Sequence, residues 1–269
     1  MSAGLKLYLD FVVFVFGAVV GSFLNVCVHR MPREQSVVSP ASHCPHCNER
    51  IRWCDNIPLL SYLFLRGRCR HCGGRITPRY FIVELLTASL FLLVWLKFDG
   101  WKPPIYWLLV AGLIAATFID LEHYIIPNEI TYGGIVLGLL LSVAYPPLLN
   151  VENVRAALLQ SFLGVVVGGV TLLAVALAGE WVFKKEAMGM GDVKLLAAIG
   201  AFLGWEATLF TVLVSSVVGG AIGLALVLLS KKDLQSRIPY GPYIALGSLV
   251  WIFWGRDIIH WYVSLFSKG

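Results

Sequence analysis

Apolar runs of membrane-spanning length recur from one end of this chain to the other, and that recurrence leaves few folds open. Eight segments qualify, at about 7–28, 81–98, 105–121, 130–146, 156–179, 192–208, 209–230 and 242–265. Each comes close to the roughly 20 apolar residues that cross a hydrocarbon core. The sixth and seventh abut at Trp205–Glu206, and only a turn there lets the remaining loops alternate sides. Charged residues make up 14% of the chain, against about 25% in a soluble domain, too few to cover a water-facing surface. The expected architecture is an all-α polytopic membrane protein of about eight transmembrane helices. The first span runs into a Cys- and Arg-rich stretch with no small-residue cleavage site, so it is read as a retained helix and not as a signal peptide.

Orientation follows from the basic residues. Segment 29–80 carries nine arginines and only Glu34, Glu49 and Asp55 as acids, which places it in the cytoplasm by the positive-inside rule. Alternation then puts the loops near 122–129, 180–191 and 231–241 on the same side. The last two hold Lys184, Lys185, Lys231, Lys232 and Arg237. The opposite loops hold only Lys102 and Arg155, and both chain ends fall on that outer side. Arginines beside a Cys-rich loop could also bind nucleic acid or anionic lipid, but the topology accounts for them. The expected partner is the bilayer, with no nucleic acid.

The same loop contains Cys44-Pro45-His46-Cys47 and Cys69-Arg70-His71-Cys72. Two C-x-x-C turns supply four thiolates, the donor set of a tetrahedral structural zinc. Their 21-residue gap is one longer than usual for such pairs. The pattern predicts a small zinc-ribbon-like domain that Cys44, Cys47, Cys69 and Cys72 hold together around Zn2+. Such a segment has little apolar material of its own to fold around. Two disulfides, disfavoured in a reducing compartment, and a redox dithiol remain as alternatives. Cys27 and Cys54 stand alone and are expected to be buried thiols.

Two carboxylates carry the chemistry. Asp120, in Phe118-Ile119-Asp120-Leu121-Glu122-His123, closes the third span; Asp192, in Gly189-Met190-Gly191-Asp192-Val193-Lys194, opens the sixth. Alternation sets both at the same face of the membrane. Ionisable groups at such depths are costly and usually functional, and two close carboxylates share one proton. One can then activate water while the other donates to the carbonyl under attack. Gly189 and Gly191 would let an extended substrate approach Asp192. Lys194 is expected in an interfacial ion pair. Taken singly, Asp192 also suits a helix cap and Asp120 a solvated helix end. A proton-coupled transporter is a rival use for the pair, although its carboxylates would more often lie mid-span.

These residues, in order, resemble the type IV prepilin peptidases, bacterial leader peptidases that are often also N-methyltransferases. The resemblance runs through Gly21-Ser22-Phe23-Leu24-Asn25-Val26 with Arg30 and Pro32, and then the paired C-x-x-C insert. It continues through Arg79-Tyr80-Phe81-Ile82-Val83-Glu84, Asp120-Leu121-Glu122-His123 with Ile126-Pro127, and Glu186 to Leu195, which holds Met188 to Lys194. Ile238-Pro239-Tyr240-Gly241-Pro242 ends it. It implies an inner-membrane enzyme, multi-pass, with its active site facing the cytoplasm. Its substrates would be prepilin and pseudopilin precursors, cut after a leader-terminal Gly. S-adenosyl-L-methionine would be the co-substrate for methylating the new N-terminal residue, usually Phe. By position, Asp120 and Asp192 are the implied catalytic pair, with Gly189, Gly191, Lys194 and Glu122 supporting them.

The resemblance also divides the chain into 1–28 (first helix), 29–80 (four-cysteine zinc-binding domain, associated with methyl transfer) and 81–269 (transmembrane aspartyl protease). Gly67 and Glu84 carry over as methyl-transfer-associated positions. An intramembrane aspartyl protease without methyl transfer is the nearest alternative. Asn128 stands where many members have Asp, and Asn would still cap the fourth span. Asn25 and Glu84 should face the bundle interior and pair there, Glu84 with Arg79 or Lys194, unless Glu84 is a plain snorkelling carboxylate. The acids Glu122, Glu129, Glu180 and Glu186 either steer a short basic leader to the site mouth or are ordinary solvated loop acids.

Overall fold

The computed structural model describes residues 2–184, 188–230 and 239–266. The described residues form helices, most joined by short turns; the long connection 31–78 holds one short α-helix and two isolated antiparallel bridges, His43 to Arg50 and Arg68 to Arg75. The helices are α1 (Ala3–Arg30), α2 (Leu60–Phe64), α3 (Arg79–Lys97), α4 (Lys102–His123), α5 (Asn128–Ala144), α6 (Val154–Phe183), α7 (Met190–Leu203), α8 (Trp205–Ser230), α9 (Gly241–Val250) and α10 (Arg256–Phe266). A π turn at Trp251–Gly255 joins the last two into one run. The long helices coincide with the eight expected segments. Five, in α1, α3, α4, α6 and α8, are long and apolar enough by themselves to cross a membrane. The predicted break near Trp205 falls at Gly204, whose φ of 83° ends α7 in a conformation that L side chains avoid.

The chain divides into two compact units, Met1–Ala115 and Ala116–Gly269. In the first, α1 packs on α3 through small residues. A Cβ on Gly17 would come within 2.7 Å of the Ala88 Cα, and one on Gly21 within 2.7 Å of the Glu84 Cα. This small-xxx-small spacing lets two helix backbones touch where lipid offers no hydrophobic drive for association. Asn25 locks the contact by donating its side-chain amide to the Tyr80 carbonyl at 3.0 Å and the Gly21 carbonyl at 3.3 Å. It faces the interior, as its polarity required. Nearby, the Trp107 ring stacks on Phe91 at 5.3 Å and its indole N–H donates to the Phe91 carbonyl.

The second unit is organised around α7. Asp192, Val193 and all residues from Leu195 to Phe202 are buried, against α5, α6, α8 and α9. Small residues again make this possible. Gly164 of α6 and Gly200 of α7 meet so closely that a Cβ on either would overlap the other's backbone oxygen. A Cβ on Gly138 of α5 would lie 2.6 Å from the Ala201 side chain. Ser161 adds a hydroxyl donated to the Ala201 carbonyl at 2.6 Å.

Candidate active site and metal centre

Asp120 sits in the last turn of α4, which Tyr124 terminates by turning left-handed (φ 57°) and returning its N–H to the Asp120 carbonyl. Pro127 then sets off α5, four residues after His123. Asp192 is the third residue of α7, at the end of the most closely packed helix of its unit. Both carboxylates are buried, Asp120 at 5% and Asp192 at 8% exposure, and the Asp120 charge acts directly on Asp192. Folding thus brings together two residues that lie far apart in the sequence.

Their surroundings differ. Asp120 Oδ2 accepts the backbone N–H of Gly241, the first residue of α9, at 2.8 Å. The Asp192 carboxylate accepts the backbone N–H of Gly189, a reach-back from the third helical position to the N-cap. Asp192 therefore does help to start its helix, but one oxygen is left over: Oδ1 is buried with no hydrogen-bond partner among the described residues. A buried acceptor without a partner is costly, and a proton or a polar substrate group aimed at Asp192 would satisfy it.

Glycine matters here in two ways. A Cβ on Gly241 would stand 2.8 Å from Asp120 Oδ2, so only glycine lets this amide reach the carboxylate. A Cβ on Gly191 would meet the Ile126 side chain at 3.1 Å and its backbone nitrogen at 3.3 Å. Gly191 thus seats α7 on the chain's own 124–127 turn. Gly189 has only the Asp192 carboxylate and the Gly191 nitrogen near its missing Cβ, at 3.6 and 3.9 Å, and is the one of the two with space for a substrate.

Lys194 departs from expectation. Its partners among the described residues are the Asn128 side-chain carbonyl at 3.0 Å and the face of Tyr132, 4.8 Å away. A charge–dipole and a cation–π contact take the place of the ion pair, and they tie α7 to the first turn of α5. Asn128 likewise does not cap α5: it is that helix's first residue, and Pro127 holds the cap position with no side-chain bond. Glu122, Glu129 and Glu180 are exposed. Lys185, Glu186, Lys231, Lys232, Arg237 and Ile238 lie outside the described residues.

The residue at this site that sequence reasoning did not single out is Gly241. Its signal was present in the Pro239-Tyr240-Gly241-Pro242 run, which the structure turns toward Asp120. The Tyr240 hydroxyl, 2.8 Å from the Ser215 hydroxyl, anchors the run to α8.

In the first unit, Cys44, Cys47, Cys69 and Cys72 converge until all four sulfurs lie within 4.8 Å of one another, Cys44 and Cys72 at 3.9 Å. Bond lengths of about 2.3 Å to a tetrahedral zinc require sulfur separations of about 3.8 Å, so the residues fit the ion. The two turns are built alike. The Cys44 and Cys69 N–H groups donate to the Glu49 and Gly74 carbonyls, while Asn48 and Gly73 return theirs to Cys44 and Cys69. Asn48 and Gly73 also share a left-handed backbone, φ 55° and 69°. The thiols titrate against one another. Backbone N–H groups of Cys72 and His71 pull Cys69 down to about 6. The Glu49 backbone lowers Cys47, but loss of water and the Cys44 and Cys72 sulfurs outweigh it and carry Cys47 up to about 12. A dication among them removes that conflict.

Of the two solitary cysteines, Cys27 is buried as expected, but Cys54 is exposed. It sits in a short 3-10 turn, Trp53–Asn56, none of whose residues is buried. Beside the ribbon, Asp55 takes a two-pronged contact from Arg70 at 2.7–3.0 Å, and this guanidinium holds the Asp55 carboxyl below the usual range. Gly67 has φ 64°, and a Cβ there would stand 2.9 Å from the Tyr62 hydroxyl. Glu84 takes the Leu59 N–H at 2.7 Å and a bond from the Ser22 side chain, and these stand where Arg79 or Lys194 was expected.

Residues 15–98 match the profile of the bacterial peptidase A24 N-terminal domain, and residues 107–224 that of the type IV leader peptidase family. A prepilin leader peptidase/N-methyltransferase of Aeromonas hydrophila is 38% identical, over 94% of this chain and 93% of the relative. A type 4 prepilin-like proteins leader peptide-processing enzyme of Escherichia coli is 38% identical, over 89% and 91%. The corresponding peptidase/N-methyltransferase of Myxococcus xanthus is 43% identical, over 81% of this chain and 63% of the relative. No solved structure matches with significance. Alike from end to end to leader-processing enzymes, and carrying a buried aspartate pair as well as a four-cysteine ribbon, this multi-pass chain belongs to the type IV leader peptidase family.

Proposed function

We propose that the chain cuts the leader from type IV prepilins and pseudopilins, after a Gly at the cytoplasmic face of the bacterial inner membrane, and then methylates the exposed amino group. The observation that carries the peptidase half is that Asp120 and Asp192 are both buried and near enough for the charge of one to act on the other. In this mechanism each carboxylate accepts one backbone N–H, but a charge on Asp192 would leave its buried Oδ1 unpartnered, so Asp120 is the member that stays ionised. Asp192 holds the shared proton. Asp120 takes a proton from water as the oxygen attacks the scissile carbonyl, and Asp192 donates to the carbonyl oxygen. Collapse breaks the C–N bond and returns a proton to the leaving amine. Gly189 leaves room for the substrate backbone, while Gly191, Lys194 and Glu122 shape the site around the pair.

The methyl-transfer half rests on the relatives' names and on the matching N-terminal domain. S-adenosyl-L-methionine would supply the methyl group, replacing an N–H proton of the new terminus. Cys44, Cys47, Cys69 and Cys72 would hold a structural Zn2+ that folds segment 29–80, with Gly67 and Glu84 shaping its junction to the membrane. On this division, 1–28 anchors the ribbon and 81–269 carries proteolysis.

The test is cleavage of a precursor by detergent-purified protein, wild type beside Asp120→Asn and Asp192→Asn at equal folded yield. Each variant should lose cleavage by roughly a thousandfold, the share of a general acid or base in such a reaction. Methylation of pre-cut substrate should persist. Two variants that still cut would remove the pair from catalysis.

A further inference from the structure

The segment between the ribbon's two knuckles contains a short helix whose apolar face is largely exposed among the described residues. Leu60, Leu63 and Phe64 of α2 are 51%, 59% and 82% exposed. Their spacing of three and four residues puts them on one side of the helix. The opposite side is fastened down: Tyr62 packs its ring against Phe81 at 5.5 Å, and the Leu59 N–H is held by Glu84 at 2.7 Å.

The fastening point fixes the depth of α2. Glu84 lies five residues inside α3, and Ser22, which also bonds Glu84, lies eight residues before the end of α1. At 1.5 Å per residue these are about 7 and 12 Å along two membrane-crossing helices. A segment bonded at that depth is within the boundary of the bilayer, not above it. Water there would face three large apolar side chains, whereas acyl chains would cover them. The flanks suit the same neighbour. Arg66 and Arg68, both exposed, follow Phe64 closely, and segment 29–80 carries nine arginines against three acids. Apolar side chains beside basic ones are the make-up of an element that lies in an anionic interface.

We infer that α2 is an interfacial anchor, with Leu60, Leu63 and Phe64 inserted into the leaflet from which α1 emerges and α3 returns, and Arg66 and Arg68 on its anionic headgroups. The ribbon is thereby held against the membrane and does not hang from two flexible strands. This inference needs only that α1 and α3 cross the membrane, so it stands or falls separately from the peptidase chemistry.

The test uses the full chain in nanodiscs containing anionic lipid, with an environment-sensitive fluorescent amino acid replacing Phe64 or, separately, exposed Glu49 of the first knuckle. A doxyl group near the lipid headgroup should quench the probe at 64 about threefold more strongly than the probe at 49, as burial of one face in the headgroup boundary requires. Aqueous iodide should quench in the opposite order. A probe at Leu63 should repeat the result at 64, which guards against local disturbance by either replacement. Iodide quenching at 64 equal to that at 49, with no doxyl effect, would overturn the anchor. So would protection from iodide that appears only when a precursor is added, since that result would assign the face to a protein partner.

Discussion

Gly241→Ala adds one methyl group to the wall of the proposed active site, and the geometry sets its effect. The new carbon would stand 2.8 Å from Asp120 Oδ2 and 3.3 Å from its Cβ and Cγ. Resting contact is at roughly 3.5 Å, so the carboxylate must retreat by about 0.7 Å. That stretches the 2.8 Å bond from the Gly241 amide beyond hydrogen-bonding range. A hydrogen bond to a charged group contributes about 1.5–3 kcal/mol. At about 1.36 kcal/mol per decade, kcat for precursor cleavage should fall roughly 10- to 150-fold. KM should change little, because no substrate contact is removed. Steady-state cleavage by purified protein measures both constants, and methyl transfer to a pre-cut substrate reports that the variant is folded. A folded Gly241→Ala enzyme with wild-type kcat would refute the idea that this amide holds Asp120 in its working state. A raised KM at unchanged kcat would move Gly241 from positioning the carboxylate to binding the substrate.

Other substitutions test the remaining parts. Elemental analysis of the wild type should find one metal ion per chain; Cys72→Ser should lose it and expose segment 29–80 to protease, while cleavage by the Asp pair is retained. Gly200→Val should force α6 and α7 apart at their tightest contact, an overpacking that typically costs about 1–3 kcal/mol and should show as a lower Tm in detergent; an unchanged Tm would mean that the helices do not rely on this approach. Gly67→Ala combines a left-handed backbone with a methyl 2.9 Å from the Tyr62 hydroxyl, and should reduce methyl transfer with little change in cleavage. Equal loss of both activities would place Gly67 in general folding instead.

The helical content and the ribbon were legible in the sequence because both are written in local pattern. Runs of apolar residues set the helices, and two C-x-x-C turns need only each other to specify a tetrahedral cluster. Even the α7–α8 boundary followed, since only a turn near Trp205 lets the loops alternate sides, and the structure puts that turn at Gly204. Side-chain partnerships did not follow. Lys194 looked like one half of an ion pair, but its neighbours are decided by how α5 crosses α7, which brings Asn128 and Tyr132 to it. Glu84 was recognised as interior, yet its partner is the Leu59 amide 25 residues earlier, a group that every sequence contains everywhere. The Gly241 amide was invisible for the same reason. Gly191 was given to the substrate, whereas Ile126 of the same chain occupies that space.

The shortness of α7 has a consequence for the bilayer. Its 14 residues rise about 21 Å, roughly 9 Å less than a hydrocarbon core of about 30 Å. A helix facing lipid would meet that deficit by thinning the membrane around it, at a cost for each ångström of mismatch. Nearly all of α7 is buried among other helices, so no acyl chain measures its length. Of the helices packed around it, α6 and α8 are long enough to match the membrane on its behalf. Asp192 stands at the N-terminal end of this short helix, where the proposed hydrolysis needs water and hydrocarbon would exclude it.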